Sequence, residues 1–267
     1  MGADIKSLRT RIKSVDSTLH LTKAMGLVAS SKIRRATDSM HKSREYEKAV
    51  SDLISVLSSS PECASSPFME ARGEKRTRII IIAGDRGLAG GYNANIFRLA
   101  REYADAEFIP IGKRACDKYA GERRFAERFG VGEAFSLACE LCREYKDNEF
   151  DRLGIICTKY VSMLTQEAQI KWVLPLTRKE NASESSILFE PDEATILDAA
   201  VTEYVTGMIV ACVRESFASE VAARKCAMDS AGKNAQEMID GLQLKYNRAR
   251  QGAITQEITE IVAGSGA

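Results

Sequence analysis

The placement of proline constrains this chain more than any other feature. All five prolines lie in the middle of the 267 residues, at Pro61, Pro67, Pro110, Pro175 and Pro191. Proline lacks a backbone donor and clashes with the preceding turn, so it interrupts helices more strongly than any other residue. The segments before Pro61 and after Pro191 are therefore free to form long, uninterrupted helices.

The first arm, about residues 4 to 58, carries a regular seam of apolar and small residues. Alternating steps of four and three from Leu8 reach Ile12, Val15, Leu19, Thr22, Gly26, Ala29, Ile33, Ala36, Met40, Ser43, Glu47, Val50, Ile54 and Leu57. The mean step of about 3.5 residues is that of a left-handed coiled coil. Small residues in the middle of the seam would let a partner backbone approach closely.

The last arm, about residues 192 to 262, begins directly after Pro191. Asp192 or Glu193 suits the positive end of a helix. Its predicted seam consists of Leu197, Val201, Tyr204, Met208 and Cys212, and later of Met228, Ala231, Ala235, Met238, Leu242 and Ala249. We expect the two arms to pack antiparallel. Some 70 helical residues would span roughly 105 Å, so part of each helix should project and need a partner to bury its stripe.

The middle of the chain alternates between strand and helix patterns. Strands are predicted at RTRIIIIAG, AEFIPIG, RLGIICTKY and EAQIKWVLPL, and helices at YNANIFRLAREYADA, KRACDKYAGE and about residues 134 to 146. This alternation favours an α/β layered domain with a parallel core. The predicted fold class is α/β, in which a long antiparallel coiled coil of the N- and C-terminal helices carries an inserted Rossmann-like α/β domain. The predicted boundaries are 1–58, 74–190 and 192–267.

Charge is unevenly distributed along the chain. Residues 1 to 44 hold ten Lys or Arg and three Asp, a net charge of +7, although the whole chain carries only +1. A basic arm on a near-neutral chain suggests an acidic partner surface. A solvated helix face explains the same pattern, and charge alone leaves both interpretations open.

The glycine-rich segment GDRGLAGGYNAN invites comparison with a phosphate-binding loop. Its glycines do not spell GxGxxG, and no GK[ST] follows, so the P-loop lysine and hydroxyl are missing. The second strand ends in Gly112 rather than in the acid that would hold a ribose. These departures favour a tight structural turn. Both histidines lie on the first arm, so no catalytic triad is supported, and we predict no catalytic residue, cofactor or metal.

The seven cysteines are odd in number, and we expect reduced thiols. Cys139 and Cys142 form a CxxC in a predicted helix, but a zinc site would need a second pair of ligands. We therefore expect core cysteines rather than a redox or metal site. The sequence has no run of about 18 consecutive apolar residues and no apolar stretch typical of a secretory signal near its N-terminus. We expect no membrane-spanning segment.

Four segments together resemble the gamma subunit of F-type ATP synthases over essentially the whole chain. They are residues 5–36, 84–98, 158–176 and 215–264. The last is the most specific, because it follows the family signature I-T-x-E-x-x-[DE]-x-x-x-G-A at Ile254, Thr255, Glu257, Glu260 and Gly264. Ser265 replaces the final alanine, a small-for-small change.

The resemblance implies a function and a set of partners. It implies the central rotor shaft of a rotary ATP synthase, with the coiled coil inside a ring of three alpha and three beta subunits. The α/β domain would face the c-subunit ring and the epsilon subunit. Catalysis would reside on beta, so this chain would be non-catalytic. We expect it on the cytoplasmic face of the bacterial cell membrane, attached only through the complex.

The resemblance also implies contact residues. A polar catch for loops of beta would comprise Arg250, Gln251, Thr255 and Glu257. Acidic loops of beta would meet Lys23, Met25, Lys32, Arg34 and Arg35, and Tyr160 would lie on the face toward the c ring and epsilon. Two other classes of function remain as alternatives: a nucleotide-binding α/β enzyme domain with helical arms, and a coiled coil that binds nucleic acid through the basic arm.

Overall fold

Both proline-free ends form single helices in a computed structural model of the protein, which describes residues 2–73, 75–122, 124–178 and 189–265. Helix α1 spans Gly2–Leu57 and helix α5 spans Glu193–Ser265. Both agree with the predicted arms to within a few residues. Asp192 caps α5, since its carboxylate accepts hydrogen bonds from the backbone N–H and the hydroxyl of Thr195, both at 2.8 Å.

The chain divides into two compact units. The first, here called the helical unit, consists of residues 1–30 and 224–267, and the second, the sheet unit, consists of residues 31–223. Helices α1 and α5 each contribute to both units. The predicted three-part division at 1–58, 74–190 and 192–267 remains a prediction, and residues 179–188 within it lie outside the described residues.

In the helical unit, the N-terminal part of α1 packs against the C-terminal half of α5. Leu19 is buried with Ala235 and Ile239, while Gly26, further along α1, approaches Met228, earlier in α5. The opposite order of these contacts shows that the two segments run antiparallel. Every predicted seam position of α1 is buried or half-buried. The predicted seam of α1, with its step of about 3.5 residues, is therefore confirmed.

The predicted seam of α5 was wrong at one position. Met238 is 48% exposed, whereas Ile239 is only 6% exposed. From Met228 to Leu242, the buried or half-buried positions are instead Met228, Ala231, Gly232, Ala235, Ile239 and Leu242. Gly232 was overlooked because it is not apolar in the usual sense, yet it sits opposite Thr22 and Leu19 of α1.

The sheet unit contains one four-stranded sheet. Its strands are β1 (Thr77–Ile82), β2 (Glu107–Ile111), β3 (Arg152–Tyr160) and β4 (Gln166–Leu174). They lie in the order β2-β1-β3-β4. Strand β1 pairs in parallel with both β2 and β3, and β4 closes the edge antiparallel to β3. The predicted parallel core of an α/β domain is therefore confirmed.

Helices cover both faces of this sheet. Helices α2 (Tyr92–Ala100) and α3 (Lys113–Cys116) lie on one face, where Ile79 and Ile81 of β1 are buried. Helix α4 (Val131–Lys146) and segments of α1 and α5 lie on the other, packed around Ile80 and Ile82. Alternate isoleucines of one strand thus feed two separate cores, as the two-residue period of a strand requires.

The shorter helices differ from their predicted extents for tertiary reasons. The helix predicted at KRACDKYAGE stops at Cys116, and the chain turns to bring the Tyr119 ring within 4.5 Å of the Phe108 ring, centroid to centroid. Helix α2 ends at Ala100 and tightens into a 3₁₀ turn, after which Tyr103 packs edge-on against Trp172. Helix α4 begins three residues before the predicted start because Glu133 caps the N–H of Gly130 at 2.8 Å.

One 18-residue window of α5 is long and apolar enough to cross a membrane, with a mean hydropathy of 1.6. More than half of this window, 56%, is buried inside the protein. The N-terminal half of α5 supplies a row of core side chains, Leu197, Val201, Val205, Ile209 and Cys212. The apolar character of this helix is explained by its packing in the sheet unit.

The glycine-rich segment after β1 is a structural turn. The Asp85 carboxylate accepts backbone N–H groups from Lys113 (3.0 Å), Ala126 (3.0 Å) and Glu127 (2.9 Å). Gly112 adopts a φ of +95°, and a Cβ there would lie 1.9 Å from the carbonyl oxygen of Ala83. Asp85 and Gly112 therefore join the ends of β1 and β2 to the loop before α4.

Replacing Asp85 by alanine should destabilise the sheet unit by about 2–4 kcal/mol, because three backbone N–H donors, two of them in part-buried bonds, lose their acceptor. Asp85→Asn should restore part of this loss, since the Asp85 oxygen that takes two of the three bonds can be kept as an amide oxygen. Asp105→Ala, an exposed acid in the same unit, is the matched control. Urea unfolding measures the difference, and equal midpoints for D85A and D105A would contradict this role.

A polar cluster fixes α1 and α5 to the sheet. One carboxylate oxygen of Glu215 on α5 accepts hydrogen bonds from the Arg44 guanidinium and from the backbone N–H of Tyr160 at 3.0 Å. The other lies 3.9 Å from Lys171 Nζ. Lys171 also donates to Glu47 of α1 at 2.8 Å. Glu215 is only 3% exposed, so its charge is stabilised by these partners rather than by water.

Glu215→Gln should therefore lower the unfolding free energy by about 2–3 kcal/mol, because it leaves two cations facing a neutral amide. Glu203→Gln provides a matched control, since Glu203 is exposed and accepts a single bond from the Tyr46 hydroxyl. Thermal unfolding of the two variants distinguishes them. A Glu215→Gln protein as stable as the Glu203→Gln protein would show that the cluster is not needed for stability.

Candidate partner-binding surfaces

The four predicted catch residues all lie on the exposed C-terminal part of α5. Arg250, Gln251, Thr255 and Glu257 are exposed to solvent. The Thr255 hydroxyl donates to the Gln251 carbonyl oxygen within the helix, at 2.9 Å. Their polar groups are therefore available to a partner, apart from this one local bond.

Exposed apolar side chains accompany these polar residues, and of these the sequence analysis named only Ile254, as a signature residue. Ile254, Ile258, Ile261 and Val262 are between 43% and 70% exposed. By helical spacing, Arg250, Ile254, Glu257 and Ile261 share one stripe, and Gln251, Thr255, Ile258 and Val262 share the next. This end of α5 therefore presents two adjoining stripes of mixed polar and apolar character. The spacing of three and four residues between these positions is visible in the sequence and could have identified both stripes.

The predicted basic contacts divide between the two units. Lys23, which is exposed, and Met25, which is half-buried, belong to the helical unit. Lys32, Arg34 and Arg35 belong to the sheet unit, where both arginines are exposed. Lys32 forms an ion pair with Glu127, so its charge is partly compensated. The hydrogen bond from Lys32 is the main cause that holds the pKa of Glu127 below its usual value.

Lys32 and Arg35 also line a surface recess of about 500 Å³ in the sheet unit. Arg214 and Phe217 of α5 and Glu127 line the same recess. Arg34 does not line the recess, so the structure brings together only two of the three basic residues predicted here. The sequence analysis did not identify Arg214 and Phe217, because the recess depends on how separate helices pack and the sequence of a single helix does not show that packing.

Tyr160 has a structural role that the sequence did not indicate. Its backbone N–H donates to Glu215 and its carbonyl oxygen accepts from Arg44. Its half-buried side chain packs against the cluster of Ala36, Met40 and Ala218. The adjoining β3–β4 hairpin exposes Val161, Met163 and Leu164, the last by 83%. The exposed surface in this region is therefore the hairpin tip more than Tyr160 itself.

The cysteines show no pattern typical of a metal site. Cys139 is exposed and Cys142 is buried on α4, and burial raises the pKa of the Cys142 thiol to about 11. The seven cysteines all lie within the described residues, and none of them forms a disulfide bond. Within the described ranges, no group of three or more His, Cys, Asp or Glu side chains is arranged to hold a metal ion.

The turn after β1 offers little to a phosphate group. The backbone N–H of Gly84 is already bound to the Asn93 side chain at 2.9 Å, and that of Lys113, at the start of α3, is bound to Asp85. A phosphate would have to displace a carboxylate from the donors it needs. This arrangement argues against the alternative of a nucleotide-binding enzyme domain.

Comparison with known proteins gives a consistent result. The family model described as ATP synthase matches residues 4–267. The ATP synthase gamma chain of Ruminococcus albus is 38% identical over 281 residues, which cover 98% of this chain and 98% of that protein.

Solved structures agree in fold. A chain of the Euglena gracilis mitochondrial ATP synthase, in a structure of OSCP, F1 and c-ring, matches with a TM-score of 0.71 and 18% identity, covering 100% of this chain and 95% of that chain. A chain of the Tetrahymena thermophila mitochondrial ATP synthase central stalk and c-ring matches with a TM-score of 0.64 and 19% identity, covering 79% and 99%. The family model and the Ruminococcus albus relative lead to one conclusion: this chain belongs to the gamma-subunit family of ATP synthases.

Proposed function

We propose that this chain is the central rotor shaft of a rotary ATP synthase. It couples ion-driven rotation of the c ring to conformational cycling of the catalytic beta subunits during ATP synthesis, and it works in reverse during ATP hydrolysis. The observation that supports this most strongly is the family match across residues 4–267, which includes both long helices and the exposed end of α5. One structural relative is described as a rotor.

The proposed partners follow from the surfaces described above. The alpha and beta subunits would surround the helical unit, and acidic loops of beta would also contact Arg34 and Arg35 of the sheet unit. The c ring and epsilon would meet the sheet unit near Tyr160 and the β3–β4 hairpin. The chain would be peripheral to the cytoplasmic face of the bacterial membrane, attached through the complex. It would hold no catalytic residue, because ATP would be made and hydrolysed on beta.

The mechanism requires different contacts at chemically identical sites. Helices α1 and α5 differ in sequence on every face, so each of three beta subunits would meet a different surface of this chain. Rotation would exchange those surfaces in turn. A conformational equilibrium shifts only by as much as its effector distinguishes the two states. The differing faces would supply that distinction.

The proposed contacts are individually weak. Lys23, Arg34 and Arg35 are exposed, and an exposed ion pair contributes only about 0–1 kcal/mol. Near the C-terminal end of α5, the guanidinium of Arg250 is suited to bind carboxylates of a catch loop on beta. Weak contacts suit a surface that must slide, since a tight contact would stall rotation.

The proposed function as a whole is tested by assembly. The chain should co-purify with alpha and beta subunits of its own complex, and steady-state ATPase activity should depend on its presence. Failure to co-purify, or equal ATPase activity with and without the chain, would contradict the proposal.

Removing the polar catch should slow the assembled enzyme. Arg250→Ala combined with Gln251→Ala should lower ATPase turnover about five- to tenfold, as expected for the loss of about 1–1.4 kcal/mol of transition-state stabilisation. The chain should stay folded, because both residues are exposed. Gln243→Ala with Lys245→Ala, also exposed on α5, is the control pair. Normal turnover in the Arg250–Gln251 variant would remove the catch from this account.

Reversing the exposed arginines of α1 should impair coupling more than folding. Arg34→Glu with Arg35→Glu places two negative charges against the acidic loops proposed on beta, where like charges repel. ATP-driven ion pumping in proteoliposomes should fall relative to ATP hydrolysis. Lys42→Glu with Lys48→Glu makes the same charge change at other exposed positions of the helix. Equal pumping per ATP in both variants would refute the electrostatic contact.

A further inference from the structure

The recess in the sheet unit combines size, charge and an aromatic wall in one place. Its volume of about 500 Å³ lies within the usual range for small-molecule sites, roughly 300–1,000 Å³. Lys32 and Arg35 lie three residues apart on α1, and Arg214 and Phe217 lie three residues apart on α5. That spacing puts both residues of each pair on the helix face that lines the recess.

The charges of the recess are unequally compensated. Three cations line it against one carboxylate, that of Glu127. Lys32 is paired with Glu127, whose backbone N–H is in turn held by Asp85 at 2.9 Å. Among the residues that the structure describes, neither Arg35 nor Arg214 forms an ion pair with a carboxylate. Two guanidinium groups therefore face the recess with their charge uncompensated.

We propose that this recess binds a small polyphosphate anion. Two guanidinium groups on facing helices suit the several oxygens of a diphosphate, because guanidinium donates in a planar fork to phosphate oxygens. The Lys32–Glu127 pair forms the fixed side wall, and Phe217 offers an apolar surface beside the charged groups. The anion is either inorganic pyrophosphate or the diphosphate of a nucleotide, and Phe217 would favour the second through contact with a base.

An occupied recess would alter the surface around it. A bound polyphosphate would cancel the positive charge of Arg35, one of the residues proposed above to meet acidic loops of beta. This regulatory consequence rests on the proposed function. The binding itself does not, because it is measured on the full chain without its partners.

Isothermal titration calorimetry of the full chain with sodium pyrophosphate tests the site, with sodium sulfate at equal ionic strength as the reference anion. Saturable binding of one pyrophosphate per chain is expected. Arg35→Ala and Arg214→Ala should each weaken it about tenfold, equivalent to about 1.4 kcal/mol. Arg143→Ala removes an exposed arginine of α4 outside the recess and should leave the affinity unchanged.

Titration with ADP identifies the source of the diphosphate. Tighter binding of ADP than of pyrophosphate, with the difference abolished by Phe217→Leu, would identify a nucleotide site, and equal binding would identify an inorganic one. Absence of saturable heat with both anions would overturn the proposal. So would an equal loss of affinity in the Arg35→Ala and Arg143→Ala proteins, since that would reflect net charge alone. Arg35 is exposed, so its variant remains informative even if Arg214→Ala fails to fold.

Discussion

The buried carboxylate of Glu215 joins three parts of the sheet unit. It accepts from Arg44 of α1 and from the backbone of β3, and it faces Lys171 of β4. A carboxylate this deeply buried is unfavourable unless every partner is in place, so its position fixes α1, α5 and the sheet edge together. Nearby, Ser216 accepts the Thr158 N–H at 3.1 Å and the Tyr92 hydroxyl donates to its carbonyl oxygen at 2.9 Å. One turn of α5 is thereby hydrogen-bonded to β3, to α1 and to α2.

Because this turn is fixed, the rest of α5 can serve other purposes. Its earlier residues are core, from Leu197 to Val213, and its last turns are almost entirely exposed. Helix α5 has 73 residues. Its first half packs in the core and its C-terminal end is exposed, and the exposed end contributes little to stability because it buries little apolar surface. Its mixed polar and apolar stripes are what a partner-binding segment would require, and they give the family assignment a physical basis.

Much of the fold followed from the sequence because its signals are local. Proline-free arms, the step of about 3.5 residues and the isoleucine-rich β1 each depend only on neighbouring residues. Met238 was wrongly placed in the seam because Met238 and Ile239 are both apolar and lie three and four residues after Ala235, so spacing alone does not choose between them. The short α3 could not be foreseen, since the Tyr119–Phe108 contact that ends it joins residues of different elements. The partner surfaces were predicted through family resemblance, whereas Arg214, Phe217 and the hairpin tip depend on tertiary packing.

The proposed function requires that this chain turn inside its complex while ATP is hydrolysed. Cys139, which is exposed on α4, offers an attachment point for a bead after biotinylation, with the alpha and beta subunits immobilised. We expect unidirectional, ATP-dependent rotation of the bead with three pauses per turn, one for each beta subunit. A complex that hydrolyses ATP while the attached bead remains stationary would contradict it.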